Sequence, residues 1–168
     1  LHVNGQSGIA CQCHLAECAD AEGSRVVDVL ESFPVLETER LRLRRILRTD
    51  AADWLAVWVH PDVIRYLIDF DALPTLEDVY SIIEWADQIY AQQTGMRWAI
   101  TLKTDDRLIG SCGFHLYSAK HQQAEIGYEL HRDYWRQGLM LEAMREVIRF
   151  GFKAMNLHRI EANVTVGN

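Results

Sequence analysis

The hydrophobic pattern changes period twice between residues 124 and 155. In AEIGYEL, Ala124, Ile126, Tyr128 and Leu130 alternate with Glu125, Gly127 and Glu129, the two-residue repeat of a strand with two unlike faces. Leu139, Met140, Ala143, Met144, Val147, Ile148 and Phe152 then recur at three- and four-residue steps, which is one apolar stripe along a helix. Between them, Arg136, Gln137 and Gly138 form a loop that opens directly onto the helix. A strand, a tight turn and a helix start leave backbone N–H groups unpaired at the positive end of the helix dipole, a natural anion site. Gly138 lets that backbone come close to a ligand with no side chain in the way.

The same reading extends to the rest of the chain. Glu39 to Ile46 is a strand, with Leu41 and Leu43 on one face and Arg40, Arg42 and Arg44 on the other, so the arginines are expected on a solvated face. Thr49 is expected to cap a helix that runs to about Val59 and is ended by Pro61. Trp54 and Trp58, four apart on it, are expected in the core. Val63 to Phe70 is ambiguous, with a short helical turn as one solution. Thr75 with Asp78 reads as a capping box for a second helix to about Gln92. Arg97 to Lys103 and Leu108 to Tyr117 alternate on either side of Asp105-Asp106 and predict a β-hairpin, in which Gly110 and Gly113 mark a bulge or a close neighbour. After the long helix, His158 to Val164 predicts one more strand. Strands followed by a strand–helix–strand crossover imply an α/β fold with a mixed, mostly antiparallel sheet and helices on both faces.

Length and composition narrow the class. At 168 residues, 49% hydrophobic and 24% charged, the chain reads as one soluble domain from 34 onward, preceded by an extension over 1–33 expected to be poorly ordered apart from a brief helix at Val26 to Ser32. A formal charge of −7 argues against a nucleic-acid surface and favours a cationic substrate. No apolar run reaches the length of a membrane span, and the start has no secretory signal pattern, so a cytoplasmic location is expected. Cys11, Cys13 and Cys18 cluster with His14, but C-x-C-H-x4-C lacks a familiar zinc spacing, and no metal is expected. Cys112 reads as a small buried strand residue.

The run YWRQGLMLEAM resembles the pyrophosphate loop of the GNAT N-acyltransferase superfamily, written Q/R-x-x-G-x-G/A. From VLETERLRLRRI to IEANVTVGN, about Pro34 to Asn168, the chain resembles the RimJ/RimL-like ribosomal-protein N-acetyltransferase branch. Trp135 stands where the superfamily has Gln or Arg, and Met140 where it has Gly or Ala. Because the loop binds through backbone N–H groups, neither change rules out binding. The resemblance implies acetyl-CoA as co-substrate, held by Arg136, Gln137, Gly138, Leu139 and Met140 at the diphosphate, by Leu130 along the thioester arm, and by Asn168. Resembling chains continue past this asparagine into a further helix and strands, so the sequence as given reads as truncated. Apolar surface left by those parts would favour a homodimer.

Acyl transfer from a thioester to an amine needs a neutral amine, a polarised carbonyl and a thiolate able to leave. A carboxylate can accept the amine's proton, directly or through water, and a strand N–H can bond the thioester oxygen. Glu125 is the leading general base and Glu129 the reserve, with His115 a further candidate. Tyr128 is expected in the core. Trp58, Tyr66 and Trp85 are candidates for the acceptor wall. The expected function is acetylation of a primary amine, a protein N-terminus or a small amine. The competing class is a non-enzymatic acyl-CoA-binding or interaction domain. A nucleotide-binding domain is disfavoured, since neither G-x-G-x-x-G nor a P-loop lysine is present.

Overall fold

The computed structural model describes residues 32–67 and 73–164. Strands β1 (Leu36–Glu37), β2 (Leu41–Arg45), β3 (Met96–Leu102), β4 (Leu108–Ser118), β5 (Gln123–Leu130) and β6 (Arg159–Glu161) lie in that order across one sheet. Helices α1 (Ala51–Trp58), α2 (Pro61–Ile64), α3 (Leu76–Ala91) and α4 (Leu139–Lys153) complete the fold. Neighbouring strands are antiparallel except β5 and β6, which are parallel and joined through α4. This is the expected mixed α/β architecture.

Strand register decides which side chains meet which helix. Trp98 opposes Cys112 and Phe114 opposes Ile126, and this face packs with Leu41 and Leu43 against Leu139, Ala143 and Val147 of α4. The opposite face, with Ala99, receives Trp54, Val57 and Trp58 of α1 and Val79, Ile83 and Ala86 of α3. Because helices cover both sides, Leu108 to Phe114 is buried throughout and its sequence, apolar but for Ser111, shows no alternation. A Cβ on Gly113 would sit 2.2 Å from the Met96 carbonyl oxygen, and one on Gly110 would sit 2.3 Å from that of Glu129. Both glycines are close approaches between strands, as their positions predicted.

Several local expectations are corrected. Thr49 does not cap α1. A 3-10 turn at Arg48–Asp50 precedes the helix, and Asp50 accepts the Leu47 N–H over 2.7 Å. Arg44 holds Asp50 there through paired bonds of 2.7 and 2.9 Å, so it is not a solvated arginine but half of a largely buried ion pair. Arg42 pairs with Glu37, and Arg40 reaches α4. Pro61 opens α2 at its first turn, where its missing N–H has no partner to lose. The last strand is shorter than expected, ending at Glu161, and Val164 is exposed. Phe152 leaves the apolar stripe for the surface. Gly151 instead packs inward, where a Cβ would meet the Phe114 ring at 2.7 Å. The Thr75–Asp78 capping box is present, with the Asp78 carboxylate 2.7 Å from the Thr75 N–H. The readings for Val26 to Glu31, for Cys11, Cys13, His14 and Cys18, for the end of Val63 to Phe70, and for Asn168 lie outside the described residues.

Candidate active site

The two edges of β5 have different fates. On the β4 side the His131 N–H donates to the Ile109 carbonyl over 2.8 Å, and the register continues from Gly110↔Leu130 to His115↔Glu125. Opposed residues in an antiparallel ladder alternate between exchanging hydrogen bonds and facing away. Counted from the His131–Ile109 pair, Glu129, Gly127 and Glu125 bond to β4, so Leu130, Tyr128 and Ile126 turn their backbone groups toward β6. Among the described residues, pairing with β6 runs only from Gln123↔Arg159 to Glu125↔Glu161. Among the described residues the two parallel strands pair no further than Glu125, a fork in the ladder, and the N–H groups of Tyr128 and Leu130 turn to that open edge. The Leu130 carbonyl is already occupied, accepting the Trp135 indole N–H at 2.8 Å.

The fork opens onto the start of α4. Gly138 caps the helix with φ +75°, a left-handed conformation that glycine adopts without strain, and Arg136 is also left-handed at φ +60°. The first intrahelical bond runs from the Glu142 N–H to the Gly138 carbonyl, so the N–H groups of Gly138, Leu139, Met140 and Leu141 have no partner within the helix. A cleft of about 430 Å³ joins the two features, lined by Tyr128, Glu129 and Leu130 of β5, by Arg136, Gly138 and Met140, and by Val63, Tyr66 and Leu67 from α2 and its end. Tyr128, expected in the core, is 41% exposed because this cleft lies over its face of the strand.

Glu142 sits one turn into α4, and its carboxylate points back to the helix start. It accepts from the Arg40 N–H at 2.9 Å, from Arg40 Nε at 2.7 Å and from the Thr38 hydroxyl at 2.5 Å. Burial raises its pKa, but these donors outweigh it and hold the carboxyl below its ordinary value. The same guanidinium donates through Nη1 to the Gln137 carbonyl at 3.0 Å, while Gln137 Nε2 donates to the Asp133 carbonyl at 2.8 Å. Arg40 therefore ties β2, the loop and α4 together. Its position on an alternating strand concealed this, because its partners lie about a hundred residues away.

The carboxylates of β5 share a sheet face but not an environment. Glu129 is buried and fully engaged: Oε1 accepts from Trp54 Nε1 at 2.8 Å and from the Ser111 hydroxyl, and Oε2 pairs with Arg97. Arg97 also donates to Ser111 at 2.7 Å. Glu125 is partly open, its side chain 24% exposed, with His115 Nε2 at 3.2 Å from Oε1. Gly127 between the two leaves the sheet surface bare, and His115 and Arg97 flank the gap. Trp85 lies beside His115, ring centroids 6.4 Å apart, over a second hollow lined also by Ile89, Thr94 and Leu116. Of the expected acceptor-wall residues, Tyr66 lines the main cleft, Trp85 this second hollow, and Trp58 is buried beside Trp54. Cys112 is fully buried on the α4 side, and burial pushes its thiol up to about 12, which leaves it unreactive at neutral pH. Among the described residues, no group of three His, Cys, Asp or Glu side chains could hold a metal ion, and no helix is long and apolar enough to cross a membrane.

The pattern of the acetyltransferase (GNAT) domain family matches residues 40–168. The uncharacterized N-acetyltransferase YoaA of Bacillus subtilis is 38% identical over 136 residues, covering 81% of this chain and 76% of that protein. RimJ of Mycobacterium smegmatis, solved in complex with CoA-disulfide, superposes with a TM-score of 0.69 at 20% identity over 80% of this chain and 68% of that one. RimL, a ribosomal alpha-N-protein acetyltransferase, does so with 0.70 at 15% identity over 81% and 74%. At those identities the two structures speak to the fold alone. The chain belongs to the GNAT acetyltransferase family. Within it, the chain is an N-acetyltransferase.

Proposed function

We propose that this protein transfers the acetyl group of acetyl-CoA to a primary amine, and that the acceptor is a protein N-terminus. The observation that carries the reading is the single cleft that contains both the unpaired N–H groups of the fork and those of the α4 start. Backbone N–H groups at Gly138 to Leu141 suit a diphosphate, with Arg136 exposed at the rim as a counter-charge. Leu130 borders the thioester arm, and the Tyr128 N–H supplies a donor for the carbonyl oxygen as charge develops on it. Support for the acceptor class comes from RimL, an alpha-N-protein acetyltransferase.

Direct attack by the amine forms the amide bond and breaks the thioester C–S bond, and the sulfur leaves with the electron pair. Glu125 takes the ammonium proton. It precedes Tyr128 by three residues, roughly 10 Å along a strand, so the proton reaches it along a chain of waters rather than by direct contact. Glu125 is preferred to Glu129 because the Glu129 carboxylate is already engaged by Trp54, Ser111 and Arg97. Calorimetric titration with acetyl-CoA, followed by a mass-spectrometric assay on peptides with free and with blocked N-termini, tests the reading. Binding and acetylation of the free N-terminus alone are expected. Acetylation only of lysine side chains or small amines would overturn the acceptor class, and binding without turnover on any amine would favour a non-enzymatic acyl-CoA-binding domain.

A further inference from the structure

We propose that Arg40 is a positioning residue for the diphosphate loop, and that its task is to mask the negative charge of Glu142 from the anionic co-substrate. The proposal rests on the reading of the α4 start as the diphosphate site. Helical side chains lean toward the helix N-terminus, so a carboxylate at the fourth helical position is carried back to the first turn. One guanidinium touches both Glu142 and the carbonyl of Gln137, the residue just before the glycine cap. The carboxylate is therefore within the width of a guanidinium group and two hydrogen bonds from the loop. A Cβ built on Gly138 would meet Arg40 Nη2 at 3.7 Å, which puts the cation beside the capping residue itself.

Left alone, that carboxylate would oppose the diphosphate in two ways. Its charge would repel phosphate oxygens, and it would neutralise the helix dipole that attracts them. Instead its lone pairs are taken by the Thr38 hydroxyl, the Arg40 N–H and the Arg40 guanidinium. The pair is close to neutral, and the four free N–H groups of the helix start dominate the local field. Arg40 remains 47% exposed at its side chain, so it shields from the solvent side. The third contact, to Gln137, fixes the loop against β2 and sets the direction of the Gly138 N–H.

The test is a double-variant cycle read by CoA titration at low ionic strength, with thermal melts confirming that each variant is folded. Arg40→Met keeps the stem and removes the charge, and CoA binding should weaken by about tenfold, the effect of one uncompensated charge at this range. Arg40→Met with Glu142→Gln should recover most of that loss, and Glu142→Gln alone, which leaves the Arg40 charge unopposed, should bind at least as tightly as the parent chain. The loss in Arg40→Met should shrink as salt is added. A purely structural brace gives the opposite pattern: Glu142→Gln alone weakens binding, and the double variant is no better than Arg40→Met. That result overturns the masking role. Failure of the parent chain to bind CoA overturns the diphosphate-site reading itself, and the masking role with it.

Discussion

The indole N–H of Trp54 lies 2.8 Å from Oε1 of Glu129, so a helix of one layer and the site strand of the other share a buried polar contact. Trp54 is wholly buried, and the carboxylate below it is balanced by Arg97 and Ser111. Removing the indole donor leaves one buried lone pair of Oε1 unmatched while Ser111 still donates to that oxygen. Trp54→Phe should therefore destabilise the fold by about 1–3 kcal/mol. Glu129→Ala strands the Arg97 charge and should cost about 3–5 kcal/mol. Urea unfolding of both variants checks the order. A smaller loss for Glu129→Ala than for Trp54→Phe would mean that Arg97 finds water.

Glu125→Gln should lower turnover by about 10²–10⁴-fold, the usual worth of a positioned proton acceptor. Acetyl-CoA affinity should stay within a factor of about two, since the residue lies beyond the proposed thioester arm. Steady-state rates with a titrated affinity for the same protein separate the two quantities. Unchanged turnover would move the proton to another group, with His115 first in line at 3.2 Å.

Gly138 and Gly113 should respond differently to alanine. At Gly138 only a flexible guanidinium lies near the added methyl, and the penalty is the left-handed backbone, about 1–2 kcal/mol. A folded Gly138→Ala protein with weakened CoA binding is expected. At Gly113 the methyl would overlap the Met96 carbonyl, and the sheet has nowhere to move. That variant should be recovered unfolded or aggregated, and a soluble Gly113→Ala protein with the parent circular dichroism spectrum would contradict the packing described.

The Arg40–Glu142 pair also predicts a pH dependence of stability. Glu142 is held below its ordinary carboxyl value when folded, so its contribution is fully present above the unfolded pKa, about 4.3. It declines as pH falls past that value and disappears once pH is below the folded pKa. The stability difference between the parent chain and Glu142→Gln should be constant at neutral pH and close in acid. A difference that grows below pH 4 would contradict the assignment.

Much of the site was readable from local pattern because local pattern formed it. The two-residue alternation from Ala124 to Leu130 and the stripe beginning at Leu139 place β5, the loop and α4 almost to the residue. Side-chain capping of α3 by Thr75 and Asp78 is equally local. What escaped depended on partners far along the chain. Asp50, not Thr49, organises the entry to α1 because Arg44 from β2 holds its carboxylate. Alternation placed Tyr128 on the same face as Ile126, yet it cannot say that α4 covers one and a cleft lies over the other. Glu125 and Glu129 are indistinguishable as letters in a strand, and only Trp54, Ser111 and Arg97 make one of them inaccessible.

The parting of β5 from β6 has a thermodynamic consequence. Among the described residues, the one parallel strand pair of the sheet ends its ladder at Glu125 and leaves the strand N–H groups beyond it without a strand partner. A ligand arm that takes up the Tyr128 and Leu130 N–H groups supplies them from outside, and only to the folded protein. Native-state stability then becomes a function of ligand concentration, rising by about 2.7 kcal/mol at a hundred times the dissociation constant. In a cell, the lifetime of such a protein would follow the supply of that ligand.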